Sequence, residues 1–395
     1  MTTTIQNLKS LIHFDDQGNF FEKKNCTIMV ESNGTVSKIL DIAEKTQGDV
    51  MDGSQLLGLP PFVDAHTHTL FAGNRANEFL MKAQGKSYLD IAKEGGGIPH
   101  TQSETKKASD EELTKLVEAR LEKFRSQGVY GVEIKTGYGL EHDQEIRHLR
   151  ILQRIQKKYD QTMKIWVTYM GPHAVAKGSN KKDYLDEICN QTLPLVAKEK
   201  LADFVDIFVD DGFFTQSDMD QYCRRAQELG MKIKAHIDEI KNLNGAKIAS
   251  KYHLVSVDHC RHTTQQQIVD LEKAGVQVVM LPMTSFYIDE GFVPMNFFRQ
   301  INVQPALASD YNPGSQPSLS WPWLLHLGIK KMGMTENELI HATTIAPLLA
   351  LQENISDWSF AEGKKCKLNL FQATSISELA YRYGENLLEK GIFYR

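Results

Sequence analysis

The sequence lacks most of what would direct a chain to nucleic acid, to a membrane or to the secretory route. Its 45 basic and 50 acidic residues leave a formal charge of −5, without the basic field that phosphate-backbone recognition requires. No apolar run approaches the ~18 residues that cross a bilayer, and Met1 to Ser10 carries no basic-then-apolar leader pattern. The five cysteines, Cys26, Cys189, Cys223, Cys260 and Cys366, are scattered and form no Cys-x-x-Cys pair. Such a set reads as free thiols in a reducing compartment, not as a disulfide framework or a zinc–thiolate site. Low-complexity segments and short-period repeats are absent too. These absences predict a cytoplasmic protein that acts on a small molecule, with no nucleic-acid and no membrane partner.

The chain has 395 residues, of which 41% are hydrophobic and 24% charged. That length suits a barrel of ~250 residues with a smaller domain added. Up to about Leu59 the sequence reads as short extended segments punctuated by Asn33-Gly34 and Asp52-Gly53 turns. From Pro60 it alternates between short apolar runs and helical periodicity. Eight such runs are Phe62–His66, Val129–Lys135, Ile165–Met170, Phe204–Val209, Ile233–His236, Leu254–Asp258, Val276–Leu281 and Val303–Ala308. Between the first two, Ser109 and Glu112 have capping-box spacing. Leu113, Leu116, Val117, Leu121 and Phe124 then share one helical face, and Gly128 follows the end. Eight strand–helix alternations predict a (β/α)8 TIM-type barrel over 60–350; a doubly wound sheet would not place polar motifs after nearly every strand. Beyond Leu351 the pattern is again β-like, with Lys367–Phe371 as a strand. We expect segments 1–59 and 351–395 to build one small β-sandwich domain together.

The sharpest chemical signal is Asp64-Ala65-His66-Thr67-His68 at the end of the first barrel run. Side chains at i and i+2 of a strand share a side, so both imidazoles can face the barrel axis at the C-terminal end, where barrel active sites lie. With 13 histidines in the chain, one His-x-His alone carries little weight. Three later strand ends add to it: His236-Ile237-Asp238-Glu239, Asp258-His259 and Ser309-Asp310-Tyr311-Asn312. A metal hydrolase needs neutral imidazoles, a carboxylate ligand, an open coordination position and a base. His66, His68, His236 and Asp310 supply the ligands for one divalent ion, zinc or iron, and Glu239 supplies the base. Gly95-Gly96-Gly97 lacks the Lys-Ser/Thr of a phosphate loop and fits a loop near the site mouth.

These stretches, with Phe71-Ala72-Gly73-Asn74-Arg75, Val132-Glu133-Ile134-Lys135-Thr136-Gly137-Tyr138-Gly139-Leu140, His173-Ala174-Val175 and Ala308 to Gly314, resemble the amidohydrolase superfamily and, within it, the imidazolonepropionase family. The resemblance implies opening of the imidazolone ring of 4-imidazolone-5-propanoate to N-formimidoyl-L-glutamate in histidine degradation. It implies that Glu239, His259 and Asp310 are catalytic, with Glu239 shuttling the proton and His259 polarising the attacked carbonyl. Arg75, Tyr88, Tyr138, His173, Asn312, Gly314 and Ser315 would bind substrate, and a homodimer is expected from the family alone. Arg75 suits the propionate, as a bidentate carboxylate partner. The chain departs from the family pattern at Pro172, at Val209-Asp210 in place of a Cys-Glu pair, at Ile237 in place of alanine, and over Gly363 to Leu368. Those departures touch no expected ligand and leave room for a different substrate preference. Two rival readings remain: an aminohydrolase that releases ammonia from a ring, and a non-catalytic barrel that binds a metabolite. By its register, Lys135 is poorly placed for the bridging role a lysine plays in two-metal enzymes.

Overall fold

The computed structural model describes residues 2–41, 49–86 and 96–395. Strands β1 (Thr3–Phe14), β2 (Phe20–Val30), β3 (Val36–Asp41), β4 (Asp49–Asp52) and β5 (Leu57–Leu59) come from the start of the chain. Nine short strands follow: β6 (Phe62–Asp64), β7 (Val129–Lys135), β8 (Lys164–Tyr169), β9 (Phe204–Val205), β10 (Phe208–Val209), β11 (Lys234–Ile237), β12 (Ser256–His259), β13 (Gln277–Met280) and β14 (Ala306–Leu307). The last two are β15 (Lys367–Phe371) and β16 (Leu388–Phe393).

The nine middle strands form two parallel sheets, β6-β7-β8-β9 and β10-β11-β12-β13-β14. Parallel bridges at Val205–Ile233 and Thr67–Tyr311 run between the two groups. The run Phe204–Val209, expected as one strand, is two: β9 pairs with β8 and β10 with β11. The break falls at Asp206-Ile207, where the chain changes partners. The Asp206 amide donates to Tyr169 O, and Ile207 O accepts from the His236 amide.

Helices separate these strands, as their sequences dictate. Asp110–Arg125 starts at the Ser109–Glu112 capping box and buries Leu113, Val117, Leu121 and Phe124. Gly128 follows with a φ of +86°, and a Cβ there would sit 2.5 Å from Asn369 Nδ2, so glycine is required on both counts. His142–Tyr159 likewise buries one stripe, from Ile146 to Ile155.

The two chain ends meet in one seven-stranded sheet, ordered β16-β15-β5-β1-β2-β3 with β4 also on β1. Its apolar side gathers Ile5, Leu8, Leu11, Ile28, Leu368 and Leu370. A separate cluster joins Phe14 and Trp358 to Val63, Ala306, Ile345 and Leu348, so the terminal sheet and the parallel sheets are packed through shared apolar contacts. No helix among the described residues is long and apolar enough to cross a membrane.

Candidate metal centre and active site

The C-terminal ends of the parallel strands carry an unusual density of buried polar groups. His66 and His68 lie just past β6, His236 within β11, His259 at the end of β12 and Asp310 after β14. All five are buried. The turns that present them are strained: Asp238, His259 and Asp310 adopt φ of +53°, +72° and +53°. Non-glycine residues rarely take this region, and it clusters at functional sites.

Three imidazole nitrogens and one carboxylate converge here. His66 Nε2 lies 3.3 Å from His68 Nε2, and His236 Nε2 lies 3.4 Å from the same atom. Asp310 Oδ1 is 3.3 Å from His66 Nε2 and 3.6 Å from His68 Nε2. The opposite nitrogens of two rings are engaged elsewhere: His66 Nδ1 bonds Asp258 Oδ2 at 2.7 Å, and His236 Nδ1 bonds Asp206 Oδ1 at 2.9 Å. A carboxylate accepts, so each Nδ1 carries the proton and each Nε2 turns a bare lone pair toward its neighbours. Burial first, and then the neighbouring rings and Lys135, hold the pKa of His66, His68 and His236 well below the ordinary 6.5. Neutral rings whose ring nitrogens face one another and a carboxylate, two of them backed by a second carboxylate, are the donor set of a divalent metal ion. The residues present therefore fit a metal. The ring nitrogens of His66, His236 and His259 also lie within 4.8 Å of one another, as do ligand atoms of Asp206, His236 and Asp258.

Beneath the imidazoles lies a layer of buried charge. Lys135 Nζ is 2.7 Å from Asp206 Oδ2, 3.1 Å from Asp258 Oδ2 and 3.1 Å from Glu133 Oε1. Lys234 Nζ donates to Glu133 Oε2 at 2.6 Å and to Ala65 O at 3.0 Å. Burial alone would drive Lys135 neutral, but Asp206, Glu133 and Asp258 outweigh it and raise its pKa. Burial pushes Asp258 up, and Lys135 and Lys234 more than offset it, so its pKa falls below the usual carboxylate range. None of Glu133, Lys135, Asp206 or Lys234 was singled out from the sequence as a site residue. The signal was there: Glu133 and Lys135 form an i, i+2 charged pair inside an otherwise apolar strand that is buried throughout.

Above the converging nitrogens opens a cavity of about 230 Å³. Its lining includes Glu239, His259, Arg75, Tyr138, His173, Asn312, Gly314 and Ser315, together with His68, His236 and Asp310. Tyr88 lies outside the described residues. Lys82, Phe208, Phe213 and Ile288 also line it and were not foreseen.

Glu239 Oε2 sits 3.6 Å from His259 Nε2. Burial, then Asp310 and Asp210, push the Glu239 carboxyl up to about 8. Burial lowers His259 to about 3 and His173 to about 4, and raises Asp310 to about 7. Asp210 fixes the turn that carries Glu239: its Oδ2 accepts from the amides of Glu239 at 2.7 Å and Ile240 at 2.8 Å.

His173 follows Pro172 in a short 3-10 turn. Its ring stacks on His68 with centroids 5.0 Å apart and planes at 16°, while its Nδ1 lies 2.9 Å from Gly137 O. Arg75 is held through Nε by Glu78 Oε2 at 2.8 Å. Gly314 lies flush against it, since a Cβ there would fall 2.0 Å from Arg75 Nη1. Asn312 is spent on its own loop: its Oδ1 accepts from the Gly314 and Ser315 amides, each at 2.8 Å. It shapes the wall beside Arg75 instead of offering a free amide.

No family model matches the chain. Full-length relatives do. The chain is 35% identical over 382 residues to the imidazolonepropionase of Clostridium tetani, covering 95% of this chain and 90% of that one. It is 32% identical over 409 residues to the imidazolonepropionase of Flavobacterium psychrophilum, covering 98% of each. Among solved structures it resembles 5-methylcytosine deaminase from Klebsiella pneumoniae liganded with phosphonocytosine, at TM-score 0.74 and 16% identity over 100% of this chain and 96% of that one. It also resembles atrazine chlorohydrolase from Arthrobacter aurescens TC1 complexed with zinc, at TM-score 0.64 and 13% identity over 94% and 87%. At those identities the structural likeness speaks to fold alone, a mixed α/β fold shared with these enzymes. Identity above 30% along nearly the whole length decides the family: the chain belongs to the imidazolonepropionases, hydrolases of the amidohydrolase superfamily.

Proposed function

We propose that His66, His68, His236 and Asp310 hold one divalent ion, zinc or iron, and that Glu239 and His259 work beside it to hydrolyse 4-imidazolone-5-propanoate to N-formimidoyl-L-glutamate in histidine degradation. The observation that carries this reading is the meeting of three Nε2 atoms, those of His66 and His236 lying 3.3 and 3.4 Å from that of His68, with Asp310 Oδ1 3.3 Å from His66 Nε2 and 3.6 Å from His68 Nε2. A single ion is favoured because the second donor group, Asp206, His236 and Asp258, is already neutralised by the Lys135 ammonium, 2.7 and 3.1 Å from the two carboxylates.

A bound ion of this kind supplies the Lewis acidity that makes water a competent nucleophile near neutral pH. Glu239, buried and facing the cavity, takes the proton that water loses as its oxygen bonds to the ring carbonyl carbon. The C–N bond then breaks, the proton passes to the departing nitrogen, and the carbonyl carbon becomes a carboxylate. His259 is neutral at working pH and can hold the developing oxyanion as a hydrogen-bond donor. Arg75, its Nε fixed by Glu78, turns its terminal nitrogens to the substrate propionate. Tyr138 and His173 wall the ring in, and Asn312, Gly314 and Ser315 form the loop against which Arg75 rests.

We read the two parallel sheets and their bridges as one closed (β/α)8 barrel over 60–350, with 1–59 and 351–395 as a small β-sandwich domain. We also infer a cytoplasmic enzyme without nucleic-acid or membrane partners, with a homodimer as the assembly to look for. Incubating metal-loaded protein with imidazolone propionate tests the function. The expected result is loss of imidazolone absorbance and formation of N-formimidoyl-L-glutamate without ammonia. Ammonia release with the ring intact would replace this reading by an aminohydrolase; metal uptake with no turnover would replace it by a binding protein.

A further inference from the structure

We propose that Lys135 is a positioning residue for the metal centre: one ammonium bridges Asp206 and Asp258 and so locks His236 and His66 into a single ligand-presenting unit. The inference rests on the metal-binding reading above and extends it to the layer below the ligands.

Each aspartate contacts both an imidazole Nδ1 and Lys135, and Asp258 also accepts from Ser256 Oγ at 3.1 Å. Asp206 bonds His236 at 2.9 Å and Lys135 at 2.7 Å; Asp258 bonds His66 at 2.7 Å and Lys135 at 3.1 Å. The chain of contacts His236–Asp206–Lys135–Asp258–His66 therefore joins two ligands from strands that are not neighbours. Lys135 is fully buried, and a buried ion cluster is weak evidence of a stabilising role, because desolvation offsets much of its attraction. The geometry points elsewhere. One ammonium contacts both carboxylates, so the orientation of both imidazoles hangs on the same side chain. The same layer ties the two ligand segments together a second time, since Lys234, two residues before His236, binds Glu133 at 2.6 Å and donates to the carbonyl of Ala65, just before His66.

The test compares Lys135→Met with the charge-balanced double variant Lys135→Gln/Glu133→Gln, which removes one charge of each sign. Zinc affinity is read by chelator competition, ligand geometry by the visible spectrum of the cobalt-substituted protein, and stability by melting without metal. Asn369→Ala, in the terminal sheet, controls for lost stability alone. Disturbing the partners of metal-bound histidines lowers metal affinity by roughly 10- to 100-fold. We expect that loss in both Lys135 variants, with a changed cobalt spectrum, and neither effect in Asn369→Ala. A variant that unfolds without metal is titrated with zinc until the fold returns: recovery at wild-type zinc levels overturns the proposal, and a requirement for at least tenfold more supports it. Wild-type affinity and an unchanged cobalt spectrum in a folded variant overturn it as well. If the wild type itself takes up no zinc or cobalt, the metal reading fails first, an outcome distinct from failure of the Lys135 inference.

Discussion

Strands β7 and β15 are both buried along their whole length, and each carries a lysine, yet they satisfy their polar residues in opposite ways. In β7, Lys135 and Glu133 are matched by side-chain charges: Asp206, Asp258 and Lys234. In β15, Lys367 and Asn369 turn to backbone carbonyls, Lys367 to that of Asp357 and Asn369 to that of Gly128. Backbone carbonyls are present in any fold and fix only the strand's place. Side-chain charges must be assembled from several strands, and their desolvation makes them a poor route to stability. An end of the parallel strands that gathers them nonetheless is organised around what sits above it, whereas the terminal sheet is organised around its own packing.

The sharpest way to break that contrast is Glu239→Gln. It preserves shape and leaves the four proposed ligands untouched, so metal content should match the wild type. Turnover should fall by roughly 10²- to 10⁴-fold with loss of the proton carrier. Near-normal kcat would remove Glu239 from the mechanism. Arg75→Gln should act next most strongly and differently. Loss of a charge-assisted contact to the propionate is worth ~1.5–3 kcal/mol, seen as a rise in KM of about ten- to a hundredfold with kcat less affected. An unchanged KM would mean that the carboxylate lies elsewhere in the cavity, and Lys82, which also lines it, becomes the alternative cation.

The pH dependence of the metal-free protein sharpens the contrast further. Glu239 and Asp310 are raised to about 8 and about 7 from 4.5 and 3.8. They hold protons more tightly folded than unfolded, so the stability they contribute is present at low pH and lost as pH rises through 7 to 8. The ligand imidazoles run the other way: held well below 6.5, they favour the fold above that value, and their contribution is lost as pH falls below it. Melting in the presence of chelator, scanned over roughly pH 5 to 9, should therefore peak in the middle. Metal should raise the melting temperature most on the alkaline side. A profile that is flat with and without metal would show that these groups do not govern the stability of this end of the parallel strands.

Much of this could be read from the sequence, for identifiable reasons. The Ser109–Glu112 capping box and the stripe behind it are local, and the helix begins where they say. Strand β15 runs from Lys367 to Phe371 as its alternation indicates. His66 and His68 were conspicuous because a strand end forces i and i+2 to one side. The supporting layer was less visible. Parallel strands buried on both faces read as continuous apolar runs, so their register hides which polar residue points inward. Asp206 sat unremarked inside Phe204–Val209, the run that the structure divides at that residue. Lys135, judged poorly placed by register for a bridging role, instead makes three ion pairs from the last position of β7. Partners 71 and 192 residues away, as for Lys135–Asp206 and His66–Asp258, leave no local trace.

The smallest effect we expect lies in the terminal sheet, at Asn369→Ala. Its Nδ2 donates to Gly128 O at 2.8 Å, a carbonyl that also accepts from the Phe62 amide at 2.9 Å, so removal costs one of its two hydrogen bonds, ~0.5–1.5 kcal/mol. Gly128 already lies against the Asn369 amide, where a Cβ would come within 2.5 Å, so truncation also opens a small void between the two sheets. The loss should appear as a lower melting temperature at every pH, with zinc affinity and kcat unchanged, because no ionised group or ligand partner is touched. If Asn369→Ala instead weakened metal binding, the turn at Gly128 would be transmitting strain along β7 to Lys135. The two ways of burying polar residues would then belong to one mechanical unit.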